Sequence, residues 1–159
     1  MRKIINPYPR QPGYKCFGCS PDNKLGLQME FYEDDDSVFC QWNPIDHFEG
    51  YYNVLHGGIQ STLIDEAGSW YVQVKLKTAG VTSNLNVRYY KPVYIDAGIV
   101  KLRSTLIRQR RNLADIKVEL MNSNNELCAL GTVTYFTFSK EVAQEKLNYP
   151  EPSEFFEKK

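Results

Sequence analysis

Four consecutive segments in the second half of the chain alternate apolar and polar residues, and no other feature constrains the fold as strongly. The segments are 81–89, 99–108, 114–121 and 127–138. An alternation with period two is typical of a strand that buries one face, because successive side chains of a strand point to opposite sides. Turn-forming residues at Asn112 and at 123–125 separate the later segments. The sequence therefore predicts a mostly antiparallel sheet with one apolar face.

Strict alternation divides the side chains of the first of these segments into two sets. The set predicted to share one face is apolar and comprises Val81, Leu85, Val87 and Tyr89. The other set is mainly polar and comprises Thr82, Asn84, Asn86 and Arg88. The prediction depends on an unbroken period of two along the whole strand.

Two shorter strands are predicted earlier, at 27–33 and 37–42, with a turn at the acidic residues 34–36. One long helix precedes the four alternating segments, and a short polar helix at 140–147 follows them. The expected fold class is α+β, with a sheet of five to six strands and the long helix as its main apolar partner. The predicted division is an irregular N-terminal arm at 1–24, a domain at 25–139 and a C-terminal helix and tail at 140–159.

The long helix lies within NVLHGGIQSTLIDEAGSWYV, residues 53–72. A broad apolar stripe of such a helix would pack on the sheet, and its roughly 20 residues would span about 30 Å. Asp65 falls on the opposite side, in a small-residue, polar back face that includes Gly68, where another backbone could approach closely. Glu66 falls on the flank of the stripe. Asp65 is thus either a solvated surface charge or part of a site.

The start of this helix favours a site. The first N–H groups of a helix lack internal partners and carry partial positive charge, so Gly57 and Gly58 could present donors to an anion or a developing oxyanion. His56 is predicted to cap or pack against this start rather than to transfer protons. Gly57 and Asp65 are eight residues apart, about 12 Å along a helix, so one carbonyl carbon cannot reach both. A second copy of the helix, antiparallel to the first, would bring one chain's Gly57 to the other chain's Asp65.

The chain of 159 residues suits one domain, and its 19 basic and 19 acidic side chains cancel. With no net charge, the sequence gives no reason to expect binding to nucleic acid or to an acidic membrane. The N-terminal segment lacks the apolar core of a signal peptide, and no run approaches the length of a membrane span. A cytoplasmic protein with reduced cysteines is expected.

Several of these residues together resemble a known family. His56-Gly57-Gly58, then Asp65, then the run TSNLNVRYYKP at 82–92 resemble the hotdog-fold acyl-CoA thioesterases of the phenylacetate-pathway type, within the 4-hydroxybenzoyl-CoA thioesterase superfamily. The segment CFGC at 16–19, followed by Asn23 and by Gly26-Leu27, resembles a leader found in some of these proteins.

The resemblance implies a curved sheet around the long helix, and dimers or dimers of dimers with sites at the subunit interface. It implies hydrolysis of an acyl-CoA thioester with no cofactor, coenzyme A being part of the substrate. Gly57 would polarise the thioester carbonyl through its N–H, and Asp65 of the partner chain would act as general base or nucleophile. The residues expected to contact substrate are His56, Gly58, Asn53, Thr82 and Ser83, with the Thr82 hydroxyl orienting water. Gly50 departs from the family pattern, because several relatives carry Asn or Gln there.

Other features of the sequence allow two interpretations each. Cys16 and Cys19 have the spacing of half a zinc site, but Cys40 and Cys128 are isolated, so no metal site is predicted. Basic residues in and after one strand are either a solvated face or a site for CoA phosphates; they are Lys101, Arg103, Arg108, Arg110 and Arg111. The aromatic residues Phe48, Tyr51 and Tyr52 either line an acyl pocket or pack over the helix entrance.

Two alternative functions remain open at this point. A hotdog module could bind an acyl-CoA without cleaving it, which the departure at Gly50 would allow. An enoyl-CoA hydratase or dehydratase on the same fold is the other alternative, although His56 and Asp65 fit poorly around one substrate carbon. Release of free thiol would distinguish hydrolysis from both.

Overall fold

A computed structural model describes residues 1–157 of the chain. Its elements, in chain order, are β1 (Arg2–Lys3), β2 (Phe31–Glu33), β3 (Val38–Trp42), α1 (Gly57–Lys75), β4 (Gly80–Tyr89), β5 (Val100–Arg110), β6 (Leu113–Met121), β7 (Leu127–Thr137) and α2 (Lys140–Leu147). The strands form one antiparallel sheet in the order β1-β2-β3-β5-β6-β7-β4. Helix α1 packs mainly on β3 to β7 and also reaches β2. The predicted α+β architecture is confirmed.

The helix approaches the sheet most closely at Gly131 of β7. A Cβ at this position would lie 2.3 Å from Cγ2 of Ile64, so a larger residue would displace the helix. Ile64 and Leu63 are fully buried at this contact layer, and Trp70 of α1 stacks on Phe31 of β2 with ring centroids 4.9 Å apart. Burial of this apolar stripe is the main contribution of α1 to stability.

The sheet has seven strands, whereas five or six were expected. The additional strand is β1, whose two residues pair with β2 through Arg2↔Glu33 and Lys3↔Tyr32. The Arg2 guanidinium bonds to the Glu33 carboxylate and lies over the ring of Phe156. A strand of two residues has no measurable periodicity, so the sequence pattern could not reveal it.

The prediction for the two faces of β4 is wrong at the N-terminal end of the strand. The register with β7 pairs Thr82 with Tyr135 but Asn84 with Thr134, so Ser83 is an extra residue in a β-bulge. Residues that face each other across a ladder share one side of the sheet. Thr82 therefore lies on the helix side with Leu85, while Val81 lies on the outer side.

The predicted strand at 27–33 is shorter than expected. Residues before Phe31 are held by the N-terminal segment instead, since the Leu27 and Met29 N–H groups donate to the carbonyls of Phe17 and Gly18. Gln28, between them, has a positive φ of 51° that interrupts an extended strand. The other predicted strands and both helices match the observed elements to within a few residues.

The two ends of the chain cover the flank of α1 that carries Glu66 and Gln73. The Tyr8 hydroxyl donates to Oε1 of Gln73, and the Tyr149 hydroxyl donates to the Gln73 carbonyl. The helix predicted at 140–147 is confirmed as α2, capped by Ser139. Residues 158 and 159 of the predicted tail lie outside the described residues. Over residues 1–157, neither α-helix combines the length and the apolar character needed to cross a membrane.

Candidate active site

The two glycines that begin α1 differ in whether their N–H groups have a partner among the described residues. His56 is the N-cap residue, and its Nδ1 accepts a hydrogen bond of 2.9 Å from the Gly58 N–H, which confirms the predicted capping role. No group in the described part of the chain accepts a hydrogen bond from the Gly57 N–H. Of the two glycine N–H groups, only that of Gly57 is therefore available to a ligand.

Tyr89, at the end of β4, ties the start of α1 to the sheet. Its hydroxyl donates to the Gly57 carbonyl at 2.6 Å and lies 2.6 Å from Oγ of Ser61. The Tyr89 side chain is half exposed. This contact was not predicted, because nothing in the alternation of β4 indicates which part of α1 the end of the strand will reach.

The Asp65 carboxylate is held by two hydroxyl groups. Its Oδ1 accepts from Oγ1 of Thr82 at 2.8 Å and from the Tyr135 hydroxyl at 3.0 Å, and that hydroxyl also contacts the Asp65 carbonyl. Burial, followed by the charge of Asp65, raises the pKa of Tyr135 well above its usual value, so the phenol stays protonated and donates. Among the described residues, Oδ2 of Asp65 has no hydrogen-bond donor. One carboxylate oxygen is thus oriented and the other is free.

Gly68 makes the contact between Tyr135 and Asp65 possible. A Cβ at Gly68 would lie 2.7 Å from the Tyr135 hydroxyl oxygen. Gly68 was predicted to lie on a polar back face that another backbone could approach closely, but the Tyr135 side chain of β7 in the same chain covers it. Asp65 itself remains partly exposed beside β4.

Two of the predicted contact residues are engaged elsewhere. The Asn53 side-chain amide donates to Oδ1 of Asp96 at 2.9 Å, and Oδ1 of Asn53 accepts from the Asp96 backbone N–H at 3.1 Å. The Ser83 hydroxyl donates to the Thr134 carbonyl at 3.2 Å. At Gly50, a Cβ would meet His56 at an ordinary 3.5 Å, so the local packing does not exclude the amide side chain that several relatives carry.

The remaining predicted residues form two groups at opposite ends of β4. Asp65 lies with Thr82 at the start of the strand, and Gly57, with His56 and Gly58, lies at its end beside Tyr89. The eight residues of helix between Gly57 and Asp65 correspond to about 12 Å. Each group presents one half of the arrangement that carbonyl chemistry requires, namely an N–H donor or a carboxylate.

Some of the basic and aromatic residues noted in the sequence already make contacts within the chain, whereas others are exposed to a ligand. Arg108 forms an ion pair with Asp115, and Arg103 donates to Oγ of Ser37. In the loop before α1, Phe48 is buried, whereas the side chains of Tyr51 and Tyr52 are 86% and 92% exposed. Burial of Phe48 favours the packing interpretation for that residue, whereas the exposure of Tyr51 and Tyr52 shows no packing role for these two side chains.

Residues 52–129 match the model of the thioesterase superfamily. The chain is 26% identical over 127 residues to a putative esterase of Saccharolobus solfataricus, covering 79% of this chain and 83% of that protein. It is 27% identical over 101 residues to acyl-coenzyme A thioesterase 13 of mouse, covering 62% and 71%.

Among solved structures, a hypothetical thioesterase of Streptococcus pneumoniae with coenzyme A superposes with a TM-score of 0.65 at 23% identity, covering 70% of this chain and 90% of that one. This likeness establishes the shared fold. The sequence match at 52–129 includes both α1 and β4, which carry the two groups described above. The chain has the hotdog fold of solved thioesterases, and its residues 52–129 match the thioesterase superfamily.

Proposed function

We propose that this protein hydrolyses acyl-CoA thioesters at sites that two copies of the chain share. The observation that carries the proposal is the position of the two half-sites, Asp65 and Gly57, above opposite ends of the same exposed edge strand. Neither half suffices alone, because the base and the oxyanion donor must both lie within about 3 Å of the reacting groups.

The edge of β4 is suited to pairing with a second copy. The strand is ten residues long and lies at the end of the sheet, with Val81, Leu85 and Tyr89 between 38% and 48% exposed. A long exposed edge with apolar side chains favours the addition of another strand. Identical chains most often pair with two-fold symmetry, which would give the backbone N–H and C=O groups of both edge strands hydrogen-bond partners.

Antiparallel pairing of two β4 strands would complete the site. If the two-fold axis passes at Asn86, with Ser83 again the extra residue, Thr82 of one copy faces the partner's Tyr89 across about 4.8 Å. Thr82 holds Asp65, and Tyr89 holds the first turn of α1. One copy's carboxylate is then next to the partner's Gly57 N–H, and the symmetry generates two such sites.

In this arrangement each group has a defined task. The Gly57 N–H donates to the thioester oxygen and stabilises the negative charge that develops there. The free Oδ2 of Asp65 either takes a proton from an attacking water or itself attacks the carbonyl carbon. The carbon–sulfur bond breaks and coenzyme A leaves as a thiol after protonation. After attack by water the acid is released directly, whereas after attack by Asp65 a water molecule hydrolyses the mixed anhydride to release the acid. The names of the mouse relative and of the coenzyme A-containing S. pneumoniae protein support an acyl-CoA substrate.

Substitution of Gly57 by proline tests the oxyanion donor without disturbing the helix start. His56 has φ −57° and ψ 133°, the conformation that a residue before proline prefers, and proline is favoured at the first helical position. Gly57→Pro removes only the N–H, so thiol release from acyl-CoA should fall by about 10²- to 10³-fold. Gly57→Ala keeps the N–H and is the matched control. Equal activity of both variants would refute the assignment.

Mixing two inactive variants tests whether the site is shared. Copies carrying Asp65→Asn and copies carrying Gly57→Pro are unfolded together at equal concentration and refolded. A mixed dimer has one site with both intact groups and one with neither, so random pairing should restore roughly a quarter of the wild-type sites. A site built within one chain would give no recovery. Size-exclusion chromatography of the mixture verifies that dimers have formed.

A further inference from the structure

The N-terminal segment brings two thiols onto the buried flank of α1. Sγ of Cys16 and of Cys19 and a carboxylate oxygen of Glu66 all lie within 4.8 Å of one another. Sγ of Cys16 lies 3.6 and 3.7 Å from the two oxygens of Glu66. Cys19 is buried, and the other two residues are partly buried. This cluster faces away from Asp65 and takes no part in the proposed hydrolysis.

These distances match the geometry of a tetrahedral ion. With Zn–S near 2.3 Å and Zn–O near 2.0 Å, tetrahedral angles separate a sulfur ligand from an oxygen ligand by about 3.5 Å. The sulfur–oxygen separations at Cys16 are within a few tenths of an ångström of that value. The two-residue spacing between Cys16 and Cys19 is also the usual one for a pair of zinc thiolates.

The surroundings hold the three groups in place. The Trp70 Nε1–H donates to Oε1 of Glu66 at 3.0 Å, which orients the carboxylate and leaves Oε2 available. A Cβ at Gly18 would lie 2.4–2.5 Å from the Glu66 side chain, so a larger residue there would displace the carboxylate from its present position. The Asn6 amide fixes the Cys19 carbonyl at 3.0 Å.

The cluster lacks a cation of its own. Glu66 forms no ion pair with any Lys, Arg or His among residues 1–157. Burying a carboxylate costs free energy unless it is paired or binds a metal. Two thiolates and one carboxylate suit zinc, which accepts sulfur and oxygen donors together.

We propose that Cys16, Cys19 and Glu66 bind a Zn²⁺ ion that fastens the N-terminal segment to α1, with a water molecule as the fourth ligand. The ligand that completes the Cys-X-X-Cys pair comes from a helix about 50 residues away in the chain. The ion is structural, since it lies on a different flank of α1 from the carboxylate of Asp65.

Metal content of the full-length protein tests the proposal. The chain is purified under reducing conditions, incubated with Zn²⁺ and dialysed, and zinc is measured by mass spectrometry. About one zinc per chain is expected for the wild type and for the control Cys128→Ser, which removes a buried thiol outside the cluster. The double variant Cys16→Ser/Cys19→Ser should retain none. Glu66→Gln should weaken binding by more than the 10- to 100-fold that loss of an outer-shell partner typically costs.

Cobalt substitution gives a second readout that does not depend on how the variants fold. Wild-type protein loaded with Co²⁺ should show tetrahedral ligand-field bands and a thiolate-to-cobalt charge-transfer band, displaced by Zn²⁺. Wild-type protein that retains no zinc while all its thiols stay reduced would overturn the proposal. A Cys16–Cys19 disulfide that forms in place of metal binding, or zinc content unchanged in the double cysteine variant, would overturn it as well.

Discussion

Asp65 and Glu66 are adjacent in sequence, yet their carboxylates have entirely different surroundings. Asp65 faces the edge strand β4, partly exposed, with the hydroxyls of Thr82 and Tyr135 donating to one oxygen. Glu66 lies beneath the N-terminal segment, against Cys16 and the Trp70 indole. Burial, and then the neighbouring Cys16, raise the pKa of Glu66 to about 7.

The difference shows how one helical step of 100° can separate two kinds of chemistry. Hydroxyl donors orient the Asp65 carboxylate and leave an oxygen free for a reacting molecule. Thiols and an indole bring no positive charge to Glu66, so a bound cation would favour its carboxylate form. If these two sides of α1 are independent, a substitution on one side should leave the function of the other side unchanged. The largest effect is expected at Asp65 and the smallest at Thr82.

The largest effect should come from Asp65→Asn. The amide oxygen can still accept from Thr82 and Tyr135, so the fold should persist, but the general base is lost. Turnover should fall by about 10²- to 10⁴-fold, measured as thiol release from acyl-CoA. The zinc content should equal that of the wild type, because Glu66 is untouched. Hydrolysis at the wild-type rate would refute the role of Asp65.

Removal of zinc should destabilise the protein through the other side of α1. At free zinc near 100 times Kd, binding adds about 2.7 kcal/mol to the free energy of unfolding, so a chelator should lower the melting temperature. The Asp65→Asn variant should respond as the wild type does, whereas Cys16→Ser/Cys19→Ser should not respond. Identical melting curves of the wild type with and without chelator would contradict the model.

Tyr135→Phe and Tyr149→Phe form a matched pair. Each removes a hydroxyl that donates to α1, but only Tyr135 reaches the Asp65 carboxylate. A hydrogen bond to a charged group contributes about 1.5–3 kcal/mol, and about 1.4 kcal/mol is tenfold in rate, so Tyr135→Phe should reduce turnover by about 10- to 100-fold. Tyr149→Phe should lower the melting temperature without reducing turnover. Equal rates for the two variants would show that Tyr135 only supports packing.

The smallest effect is expected at Thr82, whose hydrogen bond to Asp65 is exposed to solvent. Thr82→Val keeps the branched shape and removes the hydroxyl, which should slow turnover about two- to tenfold, as expected for a net hydrogen bond of 0.5–1.5 kcal/mol. Thr82→Ser restores the donor and should recover most of the rate. A normal rate for Thr82→Val would assign the orientation of Asp65 to Tyr135 alone.

Local patterns in the sequence predicted the elements of the fold and the start of the site. Periodicity located α1 and the strands β4 to β7, and helix-start chemistry indicated the cap at His56 and the donor at Gly57. The family resemblance indicated Thr82 as a hydroxyl that orients water, but its hydrogen bond to Asp65 was not predicted. These features depend on residues close in sequence or on a recognised motif.

Contacts between distant segments could not be predicted. Tyr135 and Asp65 are 70 residues apart, and Cys16 and Glu66 are 50 apart, so no periodicity relates them. The cysteine pair appeared incomplete because its third partner is a carboxylate on a helix. Such groups are recognised only once the packing of sheet, helix and N-terminal segment is known.

Because of the bulge at Ser83, β4 can lose one residue at this point without a change in which residues face the helix. The residue faces no partner in β7, and its neighbours Thr82 and Asn84 already occupy opposite sides of the sheet. A shorter chain without Ser83 would regain a regular ladder and still present Thr82 to Asp65. Two homologues that differ by the deletion of this one residue can therefore orient the carboxylate with the same threonine hydroxyl. An alignment without a gap would nevertheless place those two threonines in different columns.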